Sequence, residues 1–247
     1  MRVFRMAIKT GEPSNIQVVP WSKVGEHISC LADSLDSLLA TIQQKFERNN
    51  RNLVLFNLGR RALHEARRVA TGIEHPIEEA AWSVRNLHEI DLTIRYIQQS
   101  EEHLRDWLGQ MTQDEKDIIE GVLVLQDKMK PEDVERSKAR LKRVEETGSR
   151  LGIAMRRPWN MSHIARATDR EKEYKMLYKF YSKYVHPSSW LANGRIERVQ
   201  SITYKNLLVG LSQVLTRRVY GLLFESFPLS ENDVSANRKS FPWEIPL

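Results

Sequence analysis

The segment IEEAAWSVRNLHEIDLTIRYIQQ, residues 77–99, decides the fold. Wound at 3.6 residues per turn, its apolar residues fall into two stripes. Ile77, Ala80, Val84, Leu87 and Ile94 make one, and Ala81, Leu92 and Tyr96 make the other. A surface helix needs a single apolar face, whereas a helix with two is packed from both sides. The segment therefore predicts a central helix, and a central helix requires others around it.

The flanking sequence supplies them. From Trp21, the residues Val24, Ile28, Leu31, Leu35, Leu38, Ile42 and Phe46 recur at spacings of three and four, and ERNNRN ends the pattern. A second helix over about 52–71 buries Leu55, Leu58, Ala62, Ala66 and Val69 and turns Arg60, Arg61, Arg67 and Arg68 outward, with Gly72 as its C-terminal cap. Past residue 99 the helical pattern resumes, with a break expected near Met111–Thr112. KPEDVERSKARLKRVEETGSRLG is highly charged, with Pro131 suited to a first helical position and only Val134, Leu141 and Val144 apolar; residues 128–155 are expected to form a charged helical arm. IAMRRPWNMSH reads as a loop, followed by a short helix from Ser162. A further helix over Arg170–His186 has Tyr174, Leu177, Tyr178, Tyr181 and Val185 as its core face. PSSWLANG reads as a loop, and a last helix covers about 201–227. The expectation is an all-α bundle of six or seven helices. It forms a single domain over 21–228, with an irregular arm at 1–20 and an irregular tail at 229–247.

Composition narrows the function. The net charge of +6 comes from 38 bases against 32 acids spread along the chain, which suits an anionic partner such as nucleic acid. Cys30 is the only cysteine, so an intrachain disulfide and cysteine-based zinc sites are excluded, and it reads as a small buried residue. No apolar run resembles a secretory signal or approaches the ~20 residues that span a bilayer, so the expected location is cytoplasmic, with no membrane. Phosphate-binding glycine loops, H-E-x-x-H, an EF-hand and G-x-S-x-G are all missing. The seven histidines lack metal-ligand spacing, so neither metal nor cofactor is expected.

Two constellations remain. Arg85 and Glu89 lie four apart on one helix face among Ala81, Trp82, Leu92 and Tyr96, so they read as a partly buried pair. Ser182 and His186 also lie four apart, beside Lys179, and Pro187 ends their helix at His186. Here the residues allow either of two roles. His186 caps the helix through its dipole, or it titrates near neutral pH and moves a proton, with Ser182 orienting it.

Arg85, Glu89 and Tyr96 follow R-x-x-x-E with tyrosine seven residues on, and Tyr178, Ser182, His186, Pro187 and Ser188 follow Y-x-x-x-S-x-x-x-H-P-S. Together these patterns, over about residues 30–228, resemble a bacterial all-helical family catalogued as domain of unknown function 5677. That family is in turn distantly similar to the HEPN superfamily of helical bundles. Many HEPN proteins are metal-independent ribonucleases serving as toxins or phage-defence effectors, with Arg and His spaced R-x(4–6)-H, commonly across a dimer interface. The resemblance implies a homodimeric, RNA-directed protein. The sequence departs from the motif: counting back from His186, the only base in the window is Lys179, while Arg68–His75 and Arg157–His163 have the spacing but sit at a helix end and in a loop.

Two classes of function follow. In the first, a ribonuclease, His186 supplies acid or base, Arg85 or Lys179 the cation, and Glu89 anchors His186 or Arg85. In the second, a non-catalytic binding module or partner subunit, Arg85/Glu89 and Ser182/His186 form a structural polar network. Arg60, Arg61, Arg67, Arg68, Arg156, Arg157 and the Arg217–Arg218 pair then contact RNA or another acidic partner, or merely form a solvated basic face. The 128–155 arm suits a protein partner.

Overall fold

The computed structural model describes residues 2–3, 19–72, 76–150 and 152–235. His75, most of the expected N-terminal arm and the tail beyond residue 235 lie outside these. The described chain is all-α apart from a two-residue antiparallel ladder between β1 (Arg2–Val3) and β2 (Val19–Pro20). Its long helices are α1 (Trp21–Lys45), α2 (Asn50–Thr71), α3 (Ile77–Gln99), α4 (Glu101–Leu123), α5 (Pro131–Arg150), α7 (Glu171–Val185) and α10 (Ile202–Ser226). Short helices α6 (Met161–Ala167), α8 (Ser189–Asn193), α9 (Ile196–Val199) and α11 (Glu231–Ser235) punctuate them.

The chain divides into two compact units. One takes residues up to Ile94 together with Asp169 onward, and the other takes Arg95–Thr168, which contains the whole of the charged 128–155 segment. The division falls inside α3.

In the first unit α1, α2 and α10 pack on one another. Ile28, Val69 and Val209 meet in a fully buried cluster. On α3 both stripes are buried: Ile77, Val84, Leu87 and Ile94 on one side and Ala81 and Leu92 on the other have essentially no exposure. At ~25 cal/mol per Å2, each such Leu or Ile contributes about 1.5–3 kcal/mol, and this burial outweighs the helix's modest propensity. Ile77 N–H donates to the Gln200 side chain, which also reaches Glu78, so the first turn of α3 is capped from a distant segment. Residues 196–226 include a window with mean hydropathy 1.2, long and apolar enough by composition to cross a bilayer, contrary to the sequence expectation. Leu208, Leu215, Val219 and Leu223 of that stretch are buried in the unit.

In the second unit α4 and α5 pack together. Lys116–Glu145 (2.9 Å) and Arg140–Glu115 (2.8 Å) tie their flanks, and Ile119, Val134 and Val144 are buried. Ser100 caps α4 by accepting from His103 N–H, as expected of serine at that position. The interruption expected at Met111–Thr112 does not occur: α4 runs through it, and the Thr112 hydroxyl folds back onto the Leu108 carbonyl. Back in the first unit, residues 189–193 are helical rather than a loop because Ser188 accepts from Leu191 N–H and starts a turn. Cys30 is half-buried rather than buried.

Candidate functional site

The charged side chains of α3, α7 and α10 within the first unit converge into one network. Arg85 Nε donates to Glu89 Oε1 at 2.8 Å, the helical i, i+4 geometry expected of the pair. One turn along, His88 is wholly buried. Its Nδ1 lies 3.4 Å from the hydroxyl of Tyr181, itself fully buried, and its Nε2 lies 3.6 Å from Glu173 Oε1. The second distance is too long for a hydrogen bond, so His88 Nε2 is a buried polar atom held near a carboxylate without being bonded to it. Glu173 in turn receives a fork from Arg218 on α10, Nη1 to Oε1 at 2.5 Å and Nη2 to Oε2 at 3.1 Å, with Arg170 Nη1 at 3.5 Å from Oε2. Asp91, also fully buried, acts on both His88 and Arg218 through its charge.

Charge states follow from this setting. Burial lowers the His88 pKa, and Arg218 and Arg170 lower it further, against the raising influence of Glu173 and Asp91. His88 is therefore neutral at physiological pH. The tautomer with Nε2–H aims its proton at Glu173 and leaves Nδ1 to accept from Tyr181. Burial pushes the Glu173 carboxyl up, but its Arg218 hydrogen bonds and the nearby positive charges outweigh this and hold it below its ordinary value. Burial raises the Tyr181 and Tyr174 phenols, so neither ionises near neutrality. Burial alone would lower Arg85, but its bond to Glu89 more than compensates.

The network is graded in exposure. His88 and Tyr181 are sealed, whereas the Arg85 and Glu89 side chains are 24% and 25% exposed. Tyr178, expected in the core, is instead 41% exposed. Its ring lies tilted at 5.6 Å from Tyr174 and meets Tyr181 edge-on at 6.0 Å, so its inner neighbours fill the space it would have taken. Trp82, three residues before Arg85, is 45% exposed. The α3–α7 pair thus carries a part-exposed cation with its carboxylate and two exposed aromatic rings, one on each helix.

Of the sequence candidates, Arg85 and Glu89 meet as expected. Ser182 and His186 do not meet each other: the Ser182 hydroxyl turns to the Lys179 carbonyl at 3.4 Å. His186 is exposed, serves as the extended C-cap of α7, and its side chain has no hydrogen bond or ion pair among the described residues. No such contact joins His186 to Arg85 or Glu89. Lys179 is exposed two turns before His186. Most of the basic candidates are paired. Arg61 lies 2.5 Å and Arg68 3.8 Å from Glu65, a fully buried carboxylate that also accepts from Asn86. Arg67 pairs with Asp36 and Arg156 with Asp106. Arg60 and Arg157 are exposed without an ion pair among the described residues.

Sequence reasoning missed His88 and Glu173, and it read Arg218 only as half of a basic pair for an acidic partner, whereas Arg218 is committed to Glu173. One signal was present: His88 lies seven residues after Ala81 and four before Leu92, inside the second apolar stripe of α3. A histidine in an apolar stripe is buried, and a buried histidine needs partners.

The model of the family of unknown function DUF5677 matches residues 52–201, a span that includes α3, α7 and the Arg85–Glu89 pair. The chain belongs to this family. No curated protein and no solved structure matches it.

Proposed function

We propose that the protein is a HEPN-like helical effector that acts on RNA without a metal ion, in the manner of bacterial toxins and phage-defence proteins, and that it works on the open side of the α3–α7 pair. The observation that supports this reading is the exposed half of the network. Arg85 is partly open to solvent, Trp82 is exposed three residues before it on α3, and the exposed Tyr178 ring lies against Tyr174 and Tyr181 on α7. A single strand of RNA offers such a face bases to stack and phosphates to pair, each stacked base contributing about 1–3 kcal/mol.

For cleavage, the 2′-hydroxyl attacks phosphorus and loses its proton to a base, the P–O5′ bond breaks, and O5′ takes a proton from an acid. Arg85 would offset the charge that builds on the phosphorane. Glu89 holds Arg85 in place. His186 is exposed and unencumbered, so it would give or take a proton, with Ser182 and Lys179 on the same helix end contacting the backbone. The RNA itself would bridge Arg85 and His186, which do not touch in the free chain. His88 is sealed from substrate and is a positioning residue within the Glu173–Arg218 network.

One observation favours a second reading. Arg85 already has its carboxylate and the His186 side chain has no hydrogen bond or ion pair among the described residues, the arrangement of a binding module or partner subunit whose polar groups fix helix register. Expression in a bacterial host separates the two. Growth arrest by the wild type that is lost in a normally folded His186→Ala variant supports the effector. Arrest that persists in the variant, or no arrest at all, supports the module.

A further inference from the structure

Within the second unit, α4 presents an apolar stripe that nothing in that unit covers. Met111, Ile118, Val122 and Leu125 recur at spacings of seven, four and three, which places them in one line along the helix and its C-terminal turn. Met111 and Ile118 are 65% and 69% exposed, and Val122 and Leu125 are also exposed. Single exposed apolar residues are ordinary, but a contiguous line of large ones marks a contact surface. Met111, Ile118 and Val122 of the stripe floor a groove of about 340 Å3 whose other wall is α5, through Ser137 and Arg140.

The helix that carries the stripe is acidic. Residues 101–123 carry seven acids (Glu101, Glu102, Asp106, Asp114, Glu115, Asp117, Glu120) and two bases (Arg105, Lys116), a formal −5 in a chain of +6. On the far wall Arg140 is neutralised by Glu115. On the α4 side Asp114 and Asp117 are exposed and neither has a cation partner among the described residues; Asp117 accepts only from Gln113.

We propose that this groove docks an amphipathic helix of a partner protein, one with an apolar ridge and Lys or Arg on its flanks. Three or four apolar side chains would fill the stripe while the flanking cations reach Asp114 and Asp117. A second copy of this chain is a poor occupant, because it would set two α4 helices of formal −5 against each other. The surface belongs to α4 rather than to the charged outer face of α5, and it stands independently of any activity at Arg85.

The stripe from Met111 to Leu125 is ~21 Å long, so the probe is a synthetic helical peptide of about 15 residues with leucines at heptad a and d positions. One version carries Lys on its flanks and the other Glu. Fluorescence anisotropy on the full chain is expected to show the Lys peptide binding at least about tenfold more tightly than the Glu peptide. Ile118→Ser/Val122→Ser, which alters only exposed side chains and leaves the circular dichroism unchanged, is expected to lose that binding by a similar factor. Asp114→Lys/Asp117→Lys is expected to reverse the preference between peptides. Equal binding of the two peptides, or wild-type binding by the serine variant, overturns the proposal. So does a wild-type dimer in sedimentation velocity that the serine variant abolishes, since a second copy would then be the occupant.

Discussion

Replacing Arg218 by Met removes the fork that holds Glu173 while keeping most of the stem's packing volume. Breaking a buried ion pair from one side costs about 3–5 kcal/mol, because the remaining charge is left without compensation. Two features reduce that figure here. Arg218 and Glu173 keep 21% and 23% of their side-chain exposure, and Arg170 remains 3.5 Å from Glu173. The expected loss is therefore about 2–3 kcal/mol in urea unfolding at pH 7. Glu173→Gln in the same background supplies the double-mutant cycle, and its coupling is expected to be about 2 kcal/mol. The effect has a defined pH dependence. The folded Glu173 pKa lies below its ordinary value, so the stabilisation is fully present above that ordinary value and is lost as pH falls through the depressed one. The gap between wild type and Arg218→Met should therefore narrow on acidification. A cost under about 0.5 kcal/mol, additive single-variant costs, or a gap that widens toward acid would refute the network as described.

Three further outcomes are expected. His88 has a folded pKa below its ordinary value of 6.5, so protons favour the unfolded chain: stability should fall as pH drops below about 6.5, by at most ~1.4 kcal/mol per pH unit, and His88→Asn should remove that part of the slope in urea titrations at pH 5 to 7. Gly109→Ala would place a Cβ 2.2 Å from the Ala154 carbonyl oxygen, a backbone atom, and should destabilise the second unit by about 2 kcal/mol or more, seen as faster limited proteolysis. Gly59→Ala meets only the methyl ends of Leu223 and Leu39 at 2.7 Å, so it should cost clearly less, about 1 kcal/mol; equal costs would contradict this comparison.

The helices that bury a regular face were legible in the sequence to within a residue or two. The bounds of α3 followed from Pro76 and the end of its stripes near Gln99, and those of α7 from the His186–Pro187 step, because these signals act within one or two residues. Misreadings arose where tertiary contacts decide. The interruption expected at Met111–Thr112 is absent, since α4 runs through it and the Thr112 hydroxyl donates to the Leu108 carbonyl of the same helix. Tyr178 looked like core because it keeps the spacing of Tyr174 and Tyr181, yet those two rings already fill the interior. Glu173 and Arg218 are 45 residues apart and each looks like an ordinary helix-surface charge, so nothing local could pair them. The Arg85–Glu89 contact was legible because both partners lie on one helix at a spacing that fixes their distance.

The central claim is tested most directly by cleavage of a labelled single-stranded RNA by the purified full-length chain in EDTA, measured under single-turnover conditions. The account predicts cleavage by the wild type, with Arg85→Ala and His186→Ala each slowing it by about 100-fold or more while retaining the wild-type circular dichroism. No cleavage by the wild type, or cleavage unchanged in both variants, would contradict it.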